Sequence, residues 1–118
     1  MIIPGTFDMR CWQGVTWSYD ILWEDGDPVS PVNLTGYSAR MQVRAAAASD
    51  DIVLELDSGL GGEITLGGAA GTIDLNLTAT ATAAIPAGWY VYDLELVSGA
   101  TVTRLLEGRF AVSAEVTR

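Results

Sequence analysis

Apolar residues recur at every second position along most of this chain, and that spacing limits the possible folds more than any motif does. In "VTWSYDILW" (15–23), Val15, Trp17, Tyr19, Ile21 and Trp23 alternate with Thr16, Ser18, Asp20 and Leu22. In "GYSARMQVR" (36–44), Tyr37, Ala39, Met41 and Val43 alternate with Ser38, Arg40, Gln42 and Arg44. "GWYVYDLELVSG" (88–99) puts Tyr90, Tyr92, Leu94 and Leu96 on one face, with Trp89, Val91, Asp93, Glu95 and Val97 on the other. Successive side chains of an extended strand point to opposite faces, so each stretch predicts a strand with one face in the core. No segment keeps a helical period for ten residues.

Turn signals separate these strands. "TFDMRCW" (6–12) precedes the Gln13-Gly14 turn, and "EDGDPVSPVN" (24–33) is a loop by composition. "AAAASDD" (45–51) predicts a linker or a single helical turn. "IVLEL" (52–56) predicts a strand closed by "DSGLGG". "EITL" (63–66) and "TIDLNLT" (72–78) predict a hairpin across "GGAAG", and "TATATAAIPAG" (78–88) a crossover or corner. "VTRLLEGRFAV" (102–112) is the expected partner of 88–99 across the "SGAT" turn. The expected fold is therefore all-β, an immunoglobulin-like antiparallel β-sandwich of seven to eight strands. Tyr90, just after Pro86 and Gly88, suits the corner tyrosine of such sandwiches, whose hydroxyl ties back to the backbone upstream. At 118 residues the chain is one domain, 1–118, with "MIIPGTF" and "SAEVTR" as short terminal arms.

Charge narrows the chemistry. Fifteen acids stand against six bases, all of them arginine, and histidine is absent. A net charge of −9 repels phosphate backbones and anionic lipid, so neither nucleic acid nor a membrane is an expected partner. Without histidine the chain lacks the commonest general base and transition-metal ligand. Cys11 is a lone cysteine, expected to be a small half-buried residue rather than a nucleophile. "MIIPGTF" has no basic leader pattern, so no secretory signal is expected. The uncharged run 75–92 contains Asn76, Thr78, Pro86 and Gly88, which makes it a strand and a polar corner rather than a membrane span.

The remaining candidates are side-chain clusters. Asp93 and Glu95 share a strand face roughly 7 Å apart. Glycosidase carboxylates must face each other across a substrate, so these two are expected on a solvated or subunit-facing side. "EDGDP" (24–28) gathers three acids but not the pattern of an EF-hand loop, and is expected to be an Asp-Gly hairpin turn. "GLGG" (59–62) and "GGAAG" (67–71) lack the lysine and helix of a phosphate loop. Trp17 and Trp23 are expected in the core; of Trp12 and Trp89, Trp89 sits on the polar parity and is the better candidate for a contact surface. Arg40, Arg44, Arg104 and Arg109 are expected to pair with acids on neighbouring strands. No catalytic, cofactor-binding or metal-ligating residue emerges, so no cofactor and no enzymatic activity is expected.

Three phrases carry a resemblance: "GVTWSYDILWEDGDPVSPVNLTGYSARMQVR" (14–44), "GTIDLNLTATATAAIPAGWYVYDLEL" (71–96) and "TRLLEGRFAVSAEVTR" (103–118). Their order resembles small Ig-like β-sandwich structural proteins of tailed-bacteriophage tail and baseplate modules, similar in plan to the N-terminal domain of baseplate upper proteins. The resemblance implies a non-enzymatic virion structural protein, made in the bacterial host cytoplasm. It would act as a tail or baseplate adaptor or assembly subunit through contacts with other phage structural proteins. It would be homo-oligomeric on the particle, its acidic surface complementing basic patches on a partner ring. A capsid decoration (cement) protein and a carbohydrate-binding module are the alternatives. The likeness covers turns and core positions and brings no catalytic residue. Such proteins often have a C-terminal extension bearing receptor-binding parts; this chain stops at "EVTR", so it departs from them and is expected to be the module alone, without a host-recognition role.

Overall fold

The computed structural model describes residues 5–59 and 62–117. They form eleven strand segments: β1 (Gly5–Thr6), β2 (Met9–Trp12), β3 (Trp17–Leu22), β4 (Glu24–Asp25), β5 (Ser30–Pro31), β6 (Ser38–Arg44), β7 (Leu54–Asp57), β8 (Ile64–Leu66), β9 (Thr72–Leu77), β10 (Gly88–Ser98) and β11 (Thr101–Ser113). One short helix, α1 (Ala79–Ala83), and a 3-10 turn at Gly68–Ala70 complete the described elements. The fold is all-β, as the period of two predicts.

Two sheets face each other in a sandwich-like arrangement. The large sheet runs β1–β11–β10–β6–β7, with β2 also on β11, and the small sheet runs β3–β9–β8. A two-stranded ribbon, β4–β5, extends from the end of β3. β1 and β2 lie parallel to β11; every other pairing is antiparallel. The sheets meet where Trp17 stacks against Phe110, ring centroids 5.6 Å apart, and Phe110 meets Tyr92 edge-on. Around them Ile21, Met41, Val43, Leu56, Ile73, Leu75, Leu94 and Leu106 are buried.

The predicted inward faces are the buried ones. Ala39, Met41 and Val43 are buried on β6, and Tyr92, Leu94 and Leu96 on β10, with Tyr90 half-buried. The two expected hairpins form, with Ile64 opposite Leu75 and Trp89 opposite Ala111. "EDGDP" is a hairpin turn between β4 and β5, and Gly71 ends the 3-10 turn in the left-handed region at φ 72°.

Other segments differ from expectation at corners. Gln13-Gly14 does not join two paired strands; it carries the chain from β2 in the large sheet to β3 in the small one. Val15 therefore lies in the corner and is half exposed, and its carbonyl accepts the Thr82 hydroxyl. Ile52 precedes β7 and is exposed, its apolar side chain falling outside the paired segment. Residues 45–51 form bends and a turn, the linker of the two expected alternatives. Within 78–88, Thr78 caps α1 by accepting from the Ala81 N–H at 3.1 Å. Of "DSGLGG", residues 60 and 61 lie outside the described residues; Gly62 N–H closes a turn onto the Gly59 carbonyl. Residues 1–4 and 118 of the expected arms also lie outside them. Gly5–Thr6 join the large sheet, and Glu115 N–H bonds the Gln13 side chain.

Polar groups tie the N-terminal strand into place. Tyr90 Oη donates to the Pro86 carbonyl at 2.6 Å, the upstream bond predicted for a corner tyrosine. Tyr92 Oη, reaching through the core edge, donates to the Phe7 carbonyl. Between β1 and β2 the chain presses onto β11 at Gly108, where a methyl group would overlap the Phe7 carbonyl. Asp8 Oδ1 accepts the Arg109 N–H at 3.0 Å in this break. On the outer edge of β2, Trp17 Nε1 donates to the Arg10 carbonyl at 3.0 Å and Arg10 N–H bonds Tyr19 Oη. Side chains of the small sheet thus cover an edge that would otherwise offer free backbone groups.

Urea denaturation checks two consequences. Tyr92→Ala removes a buried aromatic ring and is expected to cost about 3–5 kcal/mol, while Tyr92→Phe, losing only the bond to Phe7, costs about 1–2 kcal/mol. Gly108→Ala pushes against backbone, which cannot swing aside, and is expected to destabilise by about 1–3 kcal/mol. A wild-type midpoint for Gly108→Ala would refute the close approach of Phe7.

Candidate functional site

The outward face of the large sheet collects most of the predicted candidates. Because β10 and β11 alternate in and out, Trp89, Val91, Asp93 and Glu95 stand in a row beside Ala111, Arg109, Glu107 and Arg104. Arg44, Gln42 and Arg40 of β6 face Val91, Asp93 and Glu95 from the other side. A shallow concavity of about 500 Å³ opens among them, with Thr6, Arg44, Val91, Asp93 and Arg104 in its lining.

Asp93 and Glu95 are each engaged by an arginine. Arg40 Nε lies 2.8 Å from Glu95 Oε1, and Arg104 reaches Asp93 at 3.6 Å and Glu107 at 3.7 Å. Gln42 Nε2 donates to Glu55 Oε2 at 2.7 Å, and Gln42 Oε1 accepts from Arg44 Nη2 at 2.9 Å. The carboxylates are therefore members of an ion-pair lattice on one open surface, and no described residue is seen to face them across a cleft. Exposed pairs of this kind contribute about 0–1 kcal/mol each and serve mainly to fix register.

The four arginines divide. Arg40 and Arg104 pair with acids as expected. Arg44 instead donates to the Ser49 carbonyl and the Gln42 amide, and Arg109, like Arg10, makes no ion pair among the described residues. Trp17 is buried and Trp23 half-buried against Tyr37. Trp89 and Trp12 are 72% and 51% exposed on the outward face; the alternation predicts this for Trp89.

The other candidates have structural surroundings. Cys11 is buried, and burial pushes its thiol up to about 11, away from the thiolate needed for chemistry. Burial, followed by the negative charge of Asp8, likewise raises Tyr92 above the usual phenol range. Among the described residues no three His, Cys, Asp or Glu side chains converge to hold a metal ion.

One arrangement escaped the sequence. Asp20 of β3 and Asp74 of β9 are direct cross-strand partners on the outward face of the small sheet, with Thr65 of β8 beside Asp74. Desolvation and then a hydrogen bond with Asp20 raise the Asp74 carboxyl above its ordinary value. The alternation placed Asp20 outside, but its partner depends on a register between strands more than fifty residues apart.

No family model and no curated protein matches the chain.

The carboxyl pair gives a signed pH prediction. A carboxyl whose folded pKa is raised opposes folding when ionised, so its contribution improves as pH falls through that raised value towards the unfolded one. Asp20→Asn is expected to stabilise at pH 7 by about 0.5 kcal/mol, the scale of a like-charge cross-strand pair. Thermal melts should show this advantage shrinking as pH falls through the raised Asp74 value.

Proposed function

We propose that this chain is an Ig-like sandwich serving as a non-enzymatic structural subunit of a tailed-bacteriophage particle, at the tail or baseplate. The Ig-like reading draws support from the sheet orders. β3–β9–β8 corresponds to strands B–E–D of such sandwiches, and β11–β10–β6–β7 to G–F–C–C′. Joining β1 with β2 and setting aside the β4–β5 ribbon leaves eight strands. The bond from Tyr90 to Pro86 matches the corner tyrosine, and Tyr92 occupies the position of the second cysteine of antibody domains. β1 and β2 depart from the constant-type plan by joining the strand G sheet.

The observation that carries the assembly role is the outward face itself. Trp89 and Trp12 stand exposed on a sheet face that also carries the Arg40–Glu95 and Arg104–Asp93 ion pairs and the arginines Arg10, Arg44 and Arg109. Tryptophan and arginine on a preorganised surface are the residues that dominate protein–protein contacts. The phrases at 14–44, 71–96 and 103–118 supply the phage context by resemblance.

The same two tryptophans favour one further reading, a platform for sugar rings. Glycan-array binding lost in both Trp89→Ala and Trp12→Ala would support that module and replace the assembly role.

Immunogold electron microscopy of virions from the phage encoding this chain tests the proposal. Gold at the tail end is the expected result. Gold over the capsid would reassign the chain to capsid decoration, and unlabelled particles would overturn a surface-exposed virion role.

A further inference from the structure

Charge is unevenly distributed along the strand axis of this protein. Three arginines without a carboxylate partner among the described residues cluster at one end of the large sheet. In the outward register Arg10, Ala111 and Trp89 form one row across β2, β11 and β10. Arg109, Val91 and Arg44 form the next row across β11, β10 and β6. Trp12 stands beyond them, paired in register with Ser113. The small side chains of Ala111 and Ser113 leave the flanking indoles accessible, and Trp89 and Trp12 are 72% and 51% exposed. Asp8, whose carboxylate caps the Arg109 N–H, and Glu115, which lies over Gly14, border this end, and Asp50 and Asp51 follow Ser49, whose carbonyl takes Arg44 Nη1. Arg10 and Arg109 stand beside the indoles without a carboxylate partner among the described residues.

The opposite end carries the complement. β3 starts at Trp17, hydrogen-bonded to Arg10, and runs away from the arginine cluster towards the β4–β5 ribbon. From Trp17 to Asp25 the chain advances eight residues, roughly 26 Å if extended, in a molecule 47 Å long. No base occurs between Arg10 and Arg40, while Glu24, Asp25 and Asp27 crowd the ribbon. Residues 24–31 are all exposed, and among the acids Val29 stands 68% exposed. An acidic projection with an apolar tip at one end thus matches, at the other, an aromatic surface that carries the guanidinium groups of Arg10 and Arg109.

We infer that a second copy of this chain docks head to tail. The β4–β5 ribbon of one copy seats on the Trp12, Trp89, Arg10 and Arg109 end of the next. Val29 meets the indoles, and Glu24 and Asp27 meet the guanidinium groups. The contact is heterologous, so successive copies close into a ring or continue as a row. It rests on, and deepens, the reading of the chain as an assembly subunit by naming the partner of its exposed face. An eight-residue ribbon buries a small area, so the free chains associate weakly and a particle supplies the local concentration. The net charge of −9 does not forbid this, because at about 0.15 M salt screening over roughly 8 Å removes repulsion between distant charges and leaves contacting pairs.

Sedimentation equilibrium of the full chain, up to about 1 mM, tests the contact; that range detects an affinity as weak as about −4 kcal/mol. The average mass is expected to rise above the 12.5 kDa of one chain with concentration. Arg10→Glu with Arg109→Glu, and separately Glu24→Arg with Asp27→Arg, should each weaken association about tenfold or more. Asp25 is kept because its carboxylate accepts the Gly26 N–H of the turn. An equimolar mixture of the two reversed variants should recover association, since each then offers the other's complement. Trp89→Ala, at an exposed position, should weaken association while melting like wild type. Three results would overturn the inference: a wild-type chain that stays monomeric throughout, association indifferent to both charge reversals, or failure of the mixture to recover. A monomeric chain that binds poly-glutamate would overturn it in favour of an acidic foreign partner. Virion labelling reports location and sedimentation reports this contact, so either idea can fail alone.

Discussion

The antiparallel pairing of β10 with β11, running from Gly88 opposite Val112 to Ser98 opposite Thr101, holds the large sheet together. β10 offers its other edge to β6, and β11 offers its other edge to β1 and β2. A shift in register between Leu94 and Glu95 leaves Leu105 as an extra residue on β11, so Leu105 and Leu106 are both buried. A bulge of this kind re-aims the residues around it. Here it leaves Arg104 and Glu107 both on the outward side, where Arg104 reaches Asp93 and Glu107 together.

Parallel pairing of the N-terminal strand depends on a few polar and steric details. The chain breaks its ladder at Phe7 and Asp8 because Gly108 admits the Phe7 backbone and the Asp8 side chain takes a strand N–H. Phe7 N–H meets the Glu107 carbonyl, and the Phe7 carbonyl takes the Tyr92 hydroxyl, so neither backbone group at the break is orphaned. Past the break, the edge of β2 is covered by Trp17 and Tyr19. One strand therefore links the two sheets through side chains, where backbone pairing alone would leave an exposed edge.

Strand parity was legible because a two-layer fold enforces it. A one-residue slip on β6 or β10 would carry the whole inward set to the outer face, and Tyr37, Ala39, Met41 and Val43, like Tyr90, Tyr92, Leu94 and Leu96, keep one parity. The corner role of Tyr90 was legible from Pro86 and Gly88 just before it. Val15 and Ile52 were not, since an apolar residue beside a turn continues the pattern without continuing the ladder. The Asp20–Asp74 pair and the loss of carboxylate partners at Arg44 and Arg109 lie deeper still. They depend on which strands pair and in what register, and periodicity says nothing about either. Gly108 left a usable signal, because a glycine inside an otherwise apolar strand marks a close approach of another backbone.

The arginine distribution separates stability from placement. Exposed ion pairs contribute so little that folding does not dictate where a surface arginine stands. An acidic chain could neutralise its arginines anywhere, yet among the described residues only Arg40 and Arg104 meet carboxylates, in the half of the face that also holds Asp93 and Glu95. Arg10, Arg44 and Arg109 gather instead around Val91, Ala111 and Trp89, while the acids of the ribbon have no base in sequence from residue 11 to 39. Leaving cations unpaired beside exposed indoles adds nothing to the isolated fold and leaves an apolar surface in water. Such a surface has a physical rationale when a complementary one covers it, and the chain carries that complement at its other end.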